Sequence, residues 1–133
     1  MKNNIVQLEK FQKKNPYDSL KEIFNNDLDK AEEFTKSKLS SEVDLIGKMA
    51  LYQLGSGGKR LRSILTLASS KISEYKGEHN IHLAACVELI HSATLLHDDV
   101  IDNSSVRRGK KTSNVIWGNQ TSILVGDYFL SRC

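Results

Sequence analysis

The chain has 133 residues, 39% of them hydrophobic, with a net charge of +3 and a single proline, Pro16. This length allows one small domain with a core, and the scarcity of proline favours helices. The charge is too small to indicate a nucleic-acid partner by itself and suits a small anionic substrate equally well. Cys86 and Cys133 lack metal-ligand spacing, so we expect reduced thiols in a cytoplasmic protein, with Cys86 buried.

Residues 1–16 are expected to form a flexible N-terminal arm, in which Ile5, Leu8 and Phe11 share one face. The arm lacks the apolar core of a secretory signal, and no segment of the sequence approaches the length of a transmembrane helix. Residues 17–133 are expected to form a single helical domain.

The first predicted helix follows Pro16 and is capped by Asp18 or Ser19. Its apolar stripe consists of Leu20, Ile23, Phe24, Leu28, Ala31 and Phe34. This spacing places one side of the helix in the core of the domain.

Ser41 and Asp44 resemble a capping box that opens a second helix, which ends near Gly55 at a GSGG turn. A third helix is expected over about residues 59–75. Its expected core face consists of Ile64, Leu65, Ala68 and Ile72. A fourth helix is expected over about residues 80–102, and because it is apolar almost all round it should be central and buried.

The polar stretch NSSVRRGKKTSN is expected to be a loop before a last helix, which starts near Asn119 or Thr121. No convincing strand pairing is visible. The final segment, TSILVGDYFLSRC, is helical in pattern and has no stop signal. Together with a central helix that needs more packing partners, it predicts an incomplete fold.

The segment LLHDDVIDNSSVRRGKKTSN contains three carboxylates within five positions. Asp98 and Asp102 share a helix face and repel one another, and Mg²⁺ is the natural compensating ligand. Asp99 points away from them, and we expect it to support the metal ligands without binding the metal itself. His91 lies two turns earlier on the face of Asp98. The alternative is a solvated helix end, but the apolar residues around the acids favour a bound partner.

A first basic cluster lies in GGKRLR, where a glycine turn meets a helix start. The free N–H groups and positive dipole of such a start favour an anion. Lys59 and Arg62 share a face and together suit a phosphate group, while Arg60 points elsewhere. The alternative is an ordinary solvated helix start.

A second basic cluster, RRGKK, follows the acids. It could be a nucleic-acid patch, but no aromatic residues interleave with it and the neighbouring acids would repel a phosphate backbone. One cavity is the more economical interpretation. In that cavity a diphosphate bridges Mg²⁺ to Arg107, and a second phosphate binds to Lys59, Arg62 and Arg108.

From Met49 onward, GGKRLR, IHSATLLHDDVIDNSSVRRG and VGDYFLSR resemble the head-to-tail trans-polyprenyl diphosphate synthases. DDVID resembles the first aspartate-rich motif, DDxxD, of that family. The resemblance implies an all-α isoprenoid-synthase bundle of antiparallel helices, truncated to its N-terminal half. It also implies a cytoplasmic prenyltransferase, with a homodimer or a separate C-terminal half as partner and no nucleic acid.

The implied reaction condenses isopentenyl diphosphate with an allylic diphosphate. By motif position, Mg²⁺ would be held by Asp98 and Asp102. Isopentenyl diphosphate would be held by Lys59, Arg62, His91 and Arg108, and the allylic diphosphate by Arg107. The implied catalytic residues are Asp98, Asp102 and Arg107. Catalysis of this kind depends on charge stabilisation and orientation.

This sequence has no second DDxxD after Asp102. The resemblance therefore implies a fragment of a synthase, a split or decayed gene product, or one part of a two-chain enzyme, and it does not decide whether this chain is active alone. The alternative is a non-catalytic or degenerate partner subunit. Ala93 and Thr94, one turn before Asp98, are both small. In the family a bulky aromatic residue near these positions stops chain elongation early. Since this sequence has none there, the resemblance implies a long-chain product such as a quinone side chain.

Overall fold

The computed structural model describes residues 15–55 and 58–133. Within these residues it contains seven helices and one short hairpin, so the predicted all-α fold is confirmed. The helices are α1 (Pro16–Ile23), α2 (Asn25–Lys38), α3 (Asp44–Leu54), α4 (Leu61–Ile72), α5 (His79–Ile101), α6 (Ser113–Trp117) and α7 (Asn119–Ser131), and the hairpin strands are β1 (Val106–Arg107) and β2 (Lys110–Lys111). The expected arm and the apolar face proposed for it fall almost wholly outside the described residues.

The first predicted helix is two helices with a break at Phe24. Proline at the first position of α1 needs no N–H partner, and the side chain of Asn15 accepts the N–H of Tyr17. The expected cap at Asp18 or Ser19 is therefore wrong. The predicted stripe is otherwise buried or half-buried, but Ile23 lies at the break and is 59% exposed.

Helix α3 begins after Val43, and the hydroxyl of Ser41 accepts the N–H of Val43. The predicted capping box at Ser41 and Asp44 is therefore absent, because Ser41 closes a short turn ahead of the helix instead. The predicted end at Gly55 is confirmed, since the N–H of Gly55 donates to the carbonyl of Leu51.

Helix α4 is shorter than predicted and turns a different face to the core. Ile64 and Leu67 are fully buried, whereas Leu65 and Ile72 are 55% and 83% exposed. The expected core face is therefore about half correct, because the helix packs on α5 and α2 along the Ile64–Leu67 side.

Helix α5 is central, as predicted, and packs against α2, α4 and α7. It contributes to two core clusters, one with α3 and α7 and the other with α2 and α4. Only part of its circumference is covered: Ala93 and Leu96 are fully buried, while Leu83 and Ile101 are 55% and 74% exposed. The opposite side of α5 therefore presents an apolar surface.

The predicted loop after α5 contains structure that periodicity did not indicate. β1 and β2 pair in antiparallel register, Val106 with Lys111 and Arg107 with Lys110. Arg108 and Gly109, between the strands, both have positive φ angles, 51° and 76°, as a tight two-residue hairpin turn requires. The short helix α6 follows. Helix α7 then starts at Asn119, which is one of the two predicted starting positions.

Helix α7 lies against α5 with a close approach at Gly126. A Cβ atom at this position would collide with the ring of His97, so glycine is what permits the contact. The His97 ring lies 3.1 Å from the carbonyl oxygen of Ile123 and 3.4 Å from a carboxylate oxygen of Asp127. Among the helices of residues 15–55 and 58–133, none has the length and hydropathy needed to cross a lipid bilayer.

Candidate functional site

Two of the three clustered acids lie exposed at the C-terminal end of α5. Asp98 and Asp102 are one helical turn apart, and the N–H of Asp102 donates to the Asp98 carbonyl at 2.8 Å. Neither carboxylate has a hydrogen-bond or ion-pair partner in the described part of the chain. Paired, exposed carboxylates suit an oxygen-preferring divalent cation. The described residues contain no group of three or more His, Cys, Asp or Glu side chains arranged around a metal position.

The third acid, Asp99, is buried, with 3% of its surface exposed. Arg107 donates to its Oδ1 from Nε at 3.0 Å and from Nη2 at 2.8 Å. The hydrogen bond to Asp99 is the main reason that the pKa of Arg107 lies above its ordinary value, and the charges of Asp98 and Asp102 add to the effect. Asp99 thus faces away from the other acids, as its position on the helix predicted.

The loop between α5 and α6 is held in place by backbone acceptors. The Asn114 side-chain amide donates to the carbonyls of Asp99 and Ser104, and the Thr112 hydroxyl donates to the same Ser104 carbonyl. Residue spacing does not point to Asn114, since its partners lie 10 and 15 positions away. These bonds fix the hairpin that carries Arg107 and Arg108 relative to the acidic end of α5.

Four of the predicted site residues line one cavity of about 780 Å³ between α2, α3, α5 and the start of α4. They are Lys59, Arg62, His91 and Arg108. Residues 58–62 of GGKRLR, His91 and one residue of the second basic cluster, Arg108, therefore lie around the same cavity. Asp98, Asp102 and Arg107 are not among the lining residues, so the structure does not place them in the single cavity that the sequence predicted for them and the other cations. The two acids lie about two and three turns along α5 from His91.

The segment that carries Lys59 is held from both sides. The Tyr17 hydroxyl donates to the Lys59 carbonyl at 2.6 Å, and the Lys59 ammonium lies 5.9 Å from the centre of the Tyr17 ring. On the other side, an Arg108 nitrogen lies 3.4 Å from where a Cβ atom of Gly58 would stand. Tyr17, at the start of α1, is a site residue that the sequence motifs did not indicate.

The N-terminus of α4, where the sequence predicts an anion, already faces a carboxylate. Glu88 on α5 accepts the N–H of Ser63 at 3.3 Å and lines the same cavity. A helix start attracts negative charge, and Glu88 supplies it from a neighbouring helix. Glu88 was identifiable in the sequence as a charge inside an apolar run, one turn before His91. Any phosphate held here therefore depends on the side chains of Lys59 and Arg62.

Arg60 forms an ion pair with α2, but it lines the same cavity as Lys59 and Arg62, although the sequence predicted that it points elsewhere. Its Nη2 lies 2.8 Å from a carboxylate oxygen of Glu32. The pKa of Glu32 is below its ordinary value, chiefly because of the hydrogen bond from Lys36 and also because of Arg60. Arg60 itself has a positive φ angle of 47°. This ion pair closes the far end of the cavity.

His91 is half-buried among cations. Burial is the main reason that its pKa lies below the ordinary value of 6.5, and the charges of Arg62, Arg108 and Arg107 lower it further, while Glu88 opposes them. The surroundings of His91 in this structure therefore favour the neutral form of the imidazole.

Fold and site together define an all-α protein in which an exposed aspartate pair stands beside a cavity lined by basic side chains. Its fold matches that of solved isoprenoid synthases. The sequence model of the Polyprenyl synthetase family matches residues 43–133. The chain belongs to this family.

Among related proteins, octaprenyl diphosphate synthase of Escherichia coli is 44% identical over 95 residues, which are 71% of this chain and 29% of the relative. Heptaprenyl diphosphate synthase component 2 of Geobacillus stearothermophilus is 38% identical over 110 residues, 83% of this chain and 34% of the relative. The chain therefore spans about a third of the length of these relatives.

Two solved structures show the same arrangement of helices. A decaprenyl diphosphate synthase from Rhodobacter capsulatus matches with a TM-score of 0.85 and 44% identity, covering 88% of this chain and 36% of that one. A polyprenyl synthase from Caulobacter crescentus, complexed with calcium and isoprenyl diphosphate, matches with a TM-score of 0.85 and 39% identity, covering 91% and 37%.

Proposed function

We propose that this chain supplies a diphosphate-binding part of a prenyltransferase that joins isopentenyl diphosphate to an allylic diphosphate. The observation that carries the proposal is the cavity in which Lys59, Arg62, His91 and Arg108 come together beside the exposed pair Asp98 and Asp102. Cations suit the phosphates of one substrate, and the acid pair suits a metal-bound diphosphate on the other.

In the proposed reaction the allylic C–O bond breaks and its electron pair leaves with diphosphate. The isopentenyl double bond then forms the new C–C bond, and a proton is lost from the adjacent carbon. Mg²⁺ held by Asp98 and Asp102 would neutralise charge on the leaving diphosphate. The solved relative that contains calcium and isoprenyl diphosphate is consistent with a divalent cation in this role.

The protein residues supply position and charge in this scheme. Lys59, Arg62 and Arg108 would orient isopentenyl diphosphate, with His91 as a further donor when protonated. Arg107 would contact the allylic diphosphate while Asp99 restrains its side chain. Fixed charges of this kind stabilise the developing negative charge without reorganising during the reaction.

A long-chain product is part of the proposal. The related proteins named above are an octaprenyl and a heptaprenyl diphosphate synthase, and the solved neighbour is a decaprenyl diphosphate synthase. A product of this length would suit a quinone side chain. The cytoplasmic location expected from the two thiols remains a prediction.

We further propose that the active unit contains additional protein. Asp98 and Asp102 form one carboxylate pair, and this sequence contains no second DDxxD. The apolar side of α5, with Leu83 and Ile101, suits another packed helix from a second copy or from the remaining two thirds of a full-length synthase. The related heptaprenyl diphosphate synthase is named component 2, and a name of this kind is also consistent with a role for this chain as a non-catalytic partner subunit.

The test is turnover in a complete synthase that carries this segment. Asp98→Asn and Lys59→Gln should each lower kcat/KM by at least about 100-fold, since each removes a charge used in binding or ionisation. Asp44→Asn and Lys110→Gln remove exposed charges outside the cavity and serve as matched controls. Turnover within a few-fold of the parent for both site variants would disprove the assignment. Parent protein that binds both substrates without turnover would support the partner-subunit role.

A further inference from the structure

Two cysteines 47 positions apart meet at the end of the α5–α7 pair. The Cys86 thiol lies 3.4 Å from the carbonyl oxygen of Cys133, and the Cys133 thiol lies 3.8 Å from the carbonyl oxygen of Cys86. Each sulfur therefore reaches the backbone of the other residue. These reciprocal contacts place the two cysteines side by side, which is the first requirement of a disulfide.

The packing of the two helices explains why these positions meet. α5 and α7 run antiparallel, with His97 beside Gly126 at one end and Cys86 beside Cys133 at the other. Phe129, which is fully buried, anchors the last turn of α7, and its carbonyl also receives the Cys133 thiol at 3.5 Å. Cys133 lies just past the end of α7, and its N–H donates to the Leu130 carbonyl at 3.3 Å, so it lies against the last turn of a packed helix.

Both thiols are free and within reach of small reagents. Cys133 is exposed, and Cys86 is half-buried and lines an open cavity of about 770 Å³ between α4 and α5. Burial, followed by the neighbouring Cys86 thiol, raises the pKa of the Cys133 thiol above its ordinary value. Since the thiolate is the reactive form, reaction at this site should accelerate as the pH rises.

We propose that Cys86 and Cys133 form a reversible intramolecular disulfide, a redox modification site separate from the diphosphate cavity. The two thiols lose two protons and two electrons, and their sulfurs join. Oxidised glutathione accepts both electrons and both protons as its own S–S bond breaks to give two thiols. The exchange passes through a mixed disulfide on one cysteine, which the other cysteine then displaces.

The bond would tie the first half of α5 to the end of α7. It closes a long loop, and cross-links of this kind restrict the unfolded chain most. Because α5 also carries His91 and Asp98, oxidation would stiffen the helix on which the proposed site is built. The disulfide does not depend on the proposed enzymatic function, and its test requires no substrate.

To test the proposal, the purified 133-residue chain is incubated in glutathione buffers with an increasing fraction of oxidised glutathione. Intact mass and peptide mapping without reductant then identify the products. The unaltered chain should form the Cys86–Cys133 cross-link, which dithiothreitol reverses. Cys86→Ser and Cys133→Ser should each carry one glutathione on the remaining thiol instead. The oxidised chain should melt at least about 5 °C above its reduced form, and neither variant should show this shift.

Two results would overturn the proposal. One is an unaltered chain that yields only glutathione adducts or chain-to-chain disulfides at every ratio. The other is a cross-linked chain that melts below the reduced form, because the native geometry would then not accommodate the bond. Both serine variants replace partly accessible thiols with a side chain of similar size, so the comparison does not rest on a disrupted core.

Discussion

Arg107 donates two hydrogen bonds to one carboxylate oxygen of Asp99, the acid between the two exposed acids of DDVID. Asp99 is 3% exposed, so its carboxylate is hydrogen-bonded to the guanidinium of Arg107 instead of to bulk water. A buried charge that is paired and hydrogen-bonded is tolerated, whereas removal of its partner is costly. Asp99 is therefore a positioning residue for Arg107, and Asp98 and Asp102 remain available to a ligand.

The three aspartates should respond differently to the same substitution. Asp99→Asn weakens two charge-assisted hydrogen bonds, and we expect a loss of about 1–3 kcal/mol in the free energy of unfolding. Asp102→Asn removes one of two like charges at a helix C-terminus and should stabilise the chain by a few tenths of a kcal/mol. Urea denaturation followed by circular dichroism measures both. Equal effects at the two positions would contradict the assigned roles.

His91 should link diphosphate binding to pH. Burial and neighbouring cations hold its pKa below 6.5, and a bound anion would favour the imidazolium and raise that pKa. Binding should therefore take up a proton at His91, and the parent should gain affinity for inorganic diphosphate relative to His91→Gln as the pH falls toward 6.5. Calorimetry in buffers of different ionisation enthalpy measures the uptake. His91→Gln should abolish the part of the uptake that belongs to this residue, and unchanged uptake would contradict the prediction.

The same depressed pKa affects folding in the absence of ligand. The unfolded chain binds a proton at His91 more readily than the folded chain does. Stability from this group is therefore present above pH 6.5 and decreases as the pH falls below that value toward the folded-state pKa. Urea midpoints at pH 7.5 and 5.5 should differ less in His91→Gln than in the parent. The sign would be reversed if anions from the buffer already occupied the cavity, so the comparison requires a phosphate-free buffer.

Two glycines inside helices should give opposite results when changed to alanine. At Gly126 a methyl group would collide with the His97 ring, and we expect a loss of about 1–3 kcal/mol in stability. At Gly47, within α3, nothing lies within 4 Å of the added atom, and alanine should stabilise the helix by about 0.5–1 kcal/mol. Thermal unfolding of both variants is the measurement. A neutral Gly126→Ala would mean that α5 and α7 are not in close contact here.

Product length should depend on Thr94 more than on Ala93. Both positions carry small side chains, but they differ in burial. Ala93 is fully buried in a core cluster, and Thr94 is exposed. Ala93→Phe would overpack the core, whereas Thr94→Phe adds bulk outside it. In a complete synthase Thr94→Phe should shorten the products while stability is retained, as chromatography of the prenyl chains would show. Unchanged products would remove this turn from the elongation path.

The sequence alone determined most of what depends on neighbours along the chain. Helical periodicity predicted the all-α fold and the central helix, and glycine predicted the end of α3. Spacing placed Asp98 and Asp102 on one face and Asp99 on another, because residues four apart on a helix point the same way. The resemblance to the family also predicts that Lys59, Arg62, His91 and Arg108 bind one substrate.

Only the tertiary structure decided which distant groups meet. The Asp99–Arg107 pair, the carboxylate of Glu88 at the start of α4 and the Cys86–Cys133 contact each join residues from different elements. Periodicity also misplaced the core face of α4, where Leu65 is exposed and Leu67 is buried. The physical reason is the same in each case. Local pattern sets the shape of a helix, but packing against another helix sets its rotation and the partners of its charges.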